Sequence, residues 1–113
     1  MPLFYATQTC LEPGAIGDRW QEGNALEGLG KTYHKLGEYS QANEFFQQAL
    51  TLGQETNNRN TEATMLANLG KVAHSSQQYS QASDLYQQAL AIAQEIGAQE
   101  LEQAVLNNIE FLE

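Results

Sequence analysis

The apolar positions of this chain fall into runs at helical spacing. Leu26, Leu29, Tyr33 and Leu36 stand three and four residues apart, which sets them on one stripe of a helix. The pattern predicts a helix over 20–36, with Asp18 as N-cap, Gln21 three residues on as the other half of a capping box, and Gly37 as the stop. A second helix opens at Ser40, a favourable N-cap, and buries Ala42, Phe45, Phe46, Ala49, Leu50 and Leu52 before the polar turn at 56–60. Leu66, Leu69, Val72 and Ala73 mark a third helix. Ser80 caps a fourth, which buries Ala82, Leu85, Tyr86, Ala89, Leu90, Ile92 and Ala93 and ends at Gly97. Val105, Leu106, Ile109 and Leu112 make the apolar side of a last helix.

This pattern is periodic. Residues 19–58 laid over residues 59–98 without a gap agree at 17 of 40 positions. The chain therefore divides into an irregular N-terminal segment or degenerate helix (1–17), a first unit (19–58), a second unit (59–98), and a C-terminal capping helix or truncated third unit (99–113). Ile16-Gly17-Asp18-Arg19 falls one period before Thr56-Asn57-Asn58-Arg59, which predicts the same turn between units. Glu102, Leu106, Asn108 and Ile109 align with Glu62, Leu66, Asn68 and Leu69. Repeat arrays usually need about three units before the stack is stable, so modest stability, or stacking on further repeats, is expected.

Leu29-Gly30, Tyr33, Gly37, Tyr39, Ala42, Phe46 and Ala49-Leu50 resemble the tetratricopeptide repeat, and Leu69-Gly70, Tyr79, Ala82, Tyr86 and Ala89-Leu90 repeat the match. Ala73 and Gln77 depart from it, which makes the second inter-helix turn less typical. Close approach of paired helices is expected where Gly30 or Gly70 faces Ala42 or Ala82. The forty-residue period is longer than the family's usual 34. With Leu66-Ala67-Asn68-Leu69-Gly70 it is similar to the long-repeat subclass of kinesin light chains, Leu-Gly-Asn repeat adaptors and bacterial proteins. The resemblance implies an all-α fold, antiparallel helix-turn-helix repeats stacked as a short right-handed α-solenoid. It implies a protein-protein interaction scaffold that holds a partner peptide or helix in a concave groove lined by the first helices. It also implies that Asn68 and Asn108 clamp a peptide main chain, with Gly28 a missing rung.

Charge narrows the partner. Five basic residues against fourteen acidic ones give a net charge of −9, which repels a phosphate backbone and argues against nucleic acid. All five, Arg19, Lys31, Lys35, Arg59 and Lys71, sit on or just before the first helix of a unit. Helical spacing puts Lys31 beside His34, Lys71 beside His74, and Asn68 beside Lys71. The expected groove residues are Asn68, Asn108, Lys31, Lys71, His34, His74 and Arg59, and the expected ligand carries acidic residues. Phe111 aligns with Lys31 and Lys71 as an apolar anchor or an end cover.

Chemistry of other kinds finds little footing. His34 and His74 have no Cys and no convergent carboxylate beside them, and two imidazoles do not close a metal site. No nucleophile elbow or glycine-rich phosphate loop occurs, so a non-catalytic chain without metal or cofactor is expected. A lone Cys10 suits a reducing, cytoplasmic setting, and no run approaches the roughly 20 apolar residues of a membrane span. Two other roles fit the same residues: a structural module that self-assembles into a homo-oligomer through its solenoid ends, and a regulatory or targeting module of a larger enzyme.

Overall fold

A computed structural model describes residues 15–111, with side chains for residues 21–110. It holds five helices: α1 (Ala15–Lys35), α2 (Tyr39–Glu55), α3 (Arg59–Ser75), α4 (Tyr79–Ile96) and α5 (Gln99–Phe111). Each packs on the next, and α5 also reaches α3. The result is a flat stack, 57 × 32 × 17 Å, of antiparallel helix pairs. The segment up to residue 14, with Cys10, lies outside the described residues, as do Leu112 and the side chains of Asp18, Trp20 and Phe111.

Four turns of one design join the helices. Gly37, Asn57, Gln77 and Gly97 all hold positive φ, between 57° and 82°. In each turn the following residue donates its N–H five residues back: Glu38 to Tyr33, Asn58 to Gly53, Gln78 to Ala73 and Ala98 to Ala93, at 2.8–2.9 Å. This is the Schellman geometry. The same residue's carbonyl then accepts the first bond of the next helix, as in Ala42 N–H to Glu38 and Ala82 N–H to Gln78.

That economy corrects the expected caps. Helices α2 and α4 begin at Tyr39 and Tyr79, with Glu38 and Gln78 as N-caps that make no side-chain cap bond. Ser40 and Ser80 are already inside the helix, because the preceding turn fixes where the next helix starts. Asn58 alone among these three caps works through its side chain, accepting from the Thr61 N–H at 3.1 Å. Gln77 carries the turn where the first unit has Gly37, at φ 66°, with the bonds intact. At the other end, α1 is helical from Ala15, so Asp18 lies inside it and is not its cap. Ile16 to Arg19 likewise form helix and not the turn seen one period later. No proline falls between Ala15 and Lys35, and Gly17 does not take the left-handed conformation that closes the later helices.

The core runs along the stack: Ala42, Phe46 and Ala49 of α2, Ala63, Met65, Leu69 and Val72 of α3, Ala82, Tyr86 and Ala89 of α4, and Val105 of α5 are buried. The close approach of paired helices is real, but its partner is an aromatic ring and not Ala42 or Ala82. A Cβ on Gly30 would stand 2.6 Å from the Phe46 ring, and one on Gly70 would stand 2.6 Å from the Tyr86 ring. Each ring fills the space that a Cβ would take, which only glycine permits.

The predicted apolar stripe of α1 is half right. Leu26 and Tyr33 pack against the core, and Tyr33 stacks on Phe45 at 5.4 Å. Leu29 and Leu36 are 43% and 68% exposed, whereas Leu69, one period after Leu29, is 1% exposed. Helix α3 is covered by α2 on one side and α4 on the other, whereas α1 packs mainly on α2 and reaches α3 through side chains. Tyr79 is also exposed and sets its ring 5.5 Å from His74.

Candidate interaction groove

Helices α1 and α3 run beside each other with α2 forming the floor between them. Two side-chain bonds cross this seam. Asn68 Nδ2 donates to Glu27 Oε2 at 3.3 Å, and His34 Nε2 lies 2.7 Å from Ser75 Oγ. Each pair is separated by one period plus one residue, the offset that brings consecutive first helices together.

The lower end of the seam holds a cavity of about 230 Å³, lined by Lys31, His34, Lys35, Phe46, Asn68 and Lys71. Four of the seven residues expected in the groove thus meet in one place: Lys31, His34, Asn68 and Lys71. Lys31 leans on Glu27 at 3.2 Å, an exposed i,i+4 pair of small energetic weight. Lys35 and Lys71 have no ion-pair partner among the described residues. Burial, and then the neighbouring Lys71 ammonium, hold the His34 imidazole below the ordinary histidine pKa. Its ring also tilts toward Tyr39 at 5.7 Å.

Asn68 is 6% exposed and its amide is oriented by chemistry. A carboxylate only accepts hydrogen bonds, so the Asn68 nitrogen faces Glu27 and the amide oxygen is left for another donor.

The upper end of the seam has no basic residue in its lining. A cavity of about 150 Å³ opens among Gly23, Asn24 and Glu27 of α1, Ala49, Leu52, Gly53 and Thr56 at the end of α2, and Asn58, Thr61 and Met65 at the start of α3.

The remaining expected residues lie elsewhere. Arg59 bonds Glu62 at 3.0 Å and Glu95 at 2.6 Å, which ties the start of α3 to the end of α4. His74 sits against Tyr79, and Asn108 is half-buried on α5; neither lines these two cavities. Sequence reasoning passed over Glu27, Lys35, Gly23 and Gly53 as site residues. For Glu27 a signal existed, since pairing residues one period plus one apart finds Asn68.

Among the described residues no helix is long and apolar enough to cross a membrane, and no three His, Cys, Asp or Glu residues gather as metal ligands do. A comparison with curated proteins finds no match. The family model of the tetratricopeptide repeat matches residues 21–95. That match begins within α1 and ends within α4, taking in both helix pairs, and the chain belongs to the tetratricopeptide repeat family, a family of protein-interaction repeat modules.

Proposed function

We propose that this module holds an extended segment of a partner protein in the seam between α1 and α3, with the partner's carboxylates at the basic end. The carrying observation is the cavity where Lys31, His34, Lys35 and Lys71 converge over Phe46. The charge on Lys35 and Lys71 is not spent on carboxylates of the described chain. Asn68 presents its amide oxygen to a main-chain N–H, and Asn108 stands one period further along. Arg59 belongs to the scaffold in this reading. The function is binding, without catalysis or a cofactor, and the setting is the cytoplasm.

Fluorescence anisotropy with labelled acidic and neutral peptides tests the proposal. A hydrogen bond to a charged group contributes about 1.5–3 kcal/mol, so Lys71→Ala should weaken an acidic peptide roughly tenfold to a hundredfold. Unchanged affinity in both Lys71→Ala and Lys35→Ala overturns it. A second reading, self-assembly through the end of the stack, draws on the exposure of Leu29 and Leu36. Light scattering across a wide concentration range separates the two, and loss of a dimer in Leu36→Lys would favour assembly.

A further inference from the structure

The seam is not one groove but two cavities divided by a bar. Glu27 lines the apolar cavity, Asn68 lines the basic one, and the 3.3 Å bond between them crosses the seam from α1 to α3. The apolar cavity lies where three small residues meet, Gly23 with room for a side chain beside Leu52 and Gly53 already closed against Thr61. One period on, Gly23 becomes Ala63, Gly53 becomes Ala93 and Thr61 becomes Leu101. In that second seam Ala63 and Ala93 are fully buried and Leu101 packs against the core. The first seam lacks those side chains, and an opening of about 150 Å³ remains. A void of about that size accepts a benzene-sized group.

Charge is ordered along the same line. Glu27 stands on the α1 half that borders the apolar cavity, and Lys31, His34 and Lys35 on the half that borders the basic one. A ligand carboxylate is therefore repelled at the first cavity and attracted at the second, which fixes which way a mixed segment lies. The α1 residues lining the two cavities are centred about nine positions apart, or about 13 Å at 1.5 Å per residue. An extended chain covers that distance in about four residues.

We propose that the seam selects partner segments with a Leu- or Phe-sized apolar side chain and a carboxylate about four residues apart. The apolar side chain enters the cavity at Gly23 and Gly53, and the carboxylate meets Lys35 and Lys71 beyond the Glu27–Asn68 bar. This inference rests on the peptide-binding reading above and adds a second specificity pocket to it.

The probe is a series of nine-residue peptides with blocked ends, each carrying one Leu and one Glu separated by one to six positions in a Gly/Ser background. Binding is followed by two-dimensional amide NMR on the 113-residue chain. The tightest peptide should have a separation of about four, with shifts at Gly23 and Gly53 as well as at Asn68 and Lys71. Changing its Leu to Ala should cost about tenfold or more in affinity. Gly23→Leu fills the cavity from within. A Cβ there meets Leu52 at an ordinary 3.6 Å, so the helix tolerates a side chain, and thermal melting checks that the variant and the milder Gly23→Ala are folded. Gly23→Leu should abolish the preference for Leu over Ala in the peptide and leave the preference for Glu over Gln intact.

Affinity independent of spacing, or a Leu preference that survives Gly23→Leu, overturns this inference while the acidic-peptide reading stands on Lys71→Ala. If no acidic peptide shifts Lys35, Asn68 or Lys71, both readings fall together.

Discussion

The two seams of this molecule are copies of each other, and the first holds a cavity where the second carries larger side chains. In both, a glycine of the first helix lies on an aromatic ring of the second at the same separation, Gly30 on Phe46 and Gly70 on Tyr86. In both, Schellman turns fix the helix ends. The glycines on which the rings rest have been kept through the duplication, as have Lys31 and His34 in Lys71 and His74, whereas the upper end of the seam has diverged. Gly23, Glu27, Gly53 and Thr61 of the first seam answer to Ala63, Ala67, Ala93 and Leu101 of the second.

The largest effect that sharpens this comparison comes from the shared positions. Gly70→Ala forces the Tyr86 ring away from bare backbone, and overpacking of this kind typically costs about 1–3 kcal/mol. Gly30→Ala makes the same clash with Phe46, but α1 packs mainly on α2 and yields more easily than α3, which lies between α2 and α4. Urea denaturation should find Gly70→Ala the costlier of the two. Equal losses would mean that the end of the stack is as confined as its middle.

Smaller effects distinguish the diverged positions. Gly23→Ala, which makes the first seam more like the second, should stabilise by about 0.5–1 kcal/mol, because glycine in a helix interior is worse than alanine by that amount and the new Cβ meets only Leu52 at 3.6 Å. Gln77→Gly should be nearer neutral. Release from the left-handed conformation is worth about 1–2 kcal/mol, and the looser unfolded chain takes back about 0.4–1 of it. Thermal melts would show both, and a destabilised Gly23→Ala would argue that the cavity is already filled.

The smallest effect is one of pH. His34 has a folded pKa below its unfolded value of 6.5, so its contribution to stability is present above about pH 6.5 and is lost as pH falls toward the folded pKa. His34→Gln should flatten the stability profile below pH 6.5. Acidic peptides should show the opposite trend, binding more tightly as His34 protonates beside Lys71, with Lys31 and Lys35 lining the same cavity and Glu27 held at its far wall. A flat affinity profile in the wild-type chain would exclude His34 from the basic end.

Much of the fold could be read from the chain because its determinants are local and duplicated. Ala42, Phe46 and Ala49, with Ala82, Tyr86 and Ala89, announce a buried helix face by spacing alone, and Gly37 and Gly97 announce helix ends. The starts of α2 and α4 could not be read from Ser40 and Ser80, because a turn that shares one residue between two helices overrides a good capping side chain. Leu29 and Leu36 misled for a different cause. Their spacing equals that of buried leucines, and only their place at the end of the stack exposes them. Of the candidate site, Lys31, His34, Asn68 and Lys71 carry their chemistry in their side chains and could be named from the chain, whereas the upper cavity opens where Gly23 lacks a side chain beside Leu52.

The connections between helices, two or three residues each, bear on how such a chain can change. Each helix hands its direction to the next without slack, and one residue added within a helix turns everything beyond it by about 100°. An insertion inside α2, α3 or α4 would swing Gly70 off Tyr86 or Ala63 away from α2, so gradual lengthening is closed to this architecture. Whole duplication of forty residues leaves every downstream angle intact. New binding sites in this lineage therefore arise by copying a finished unit first and altering its inward-facing positions afterwards.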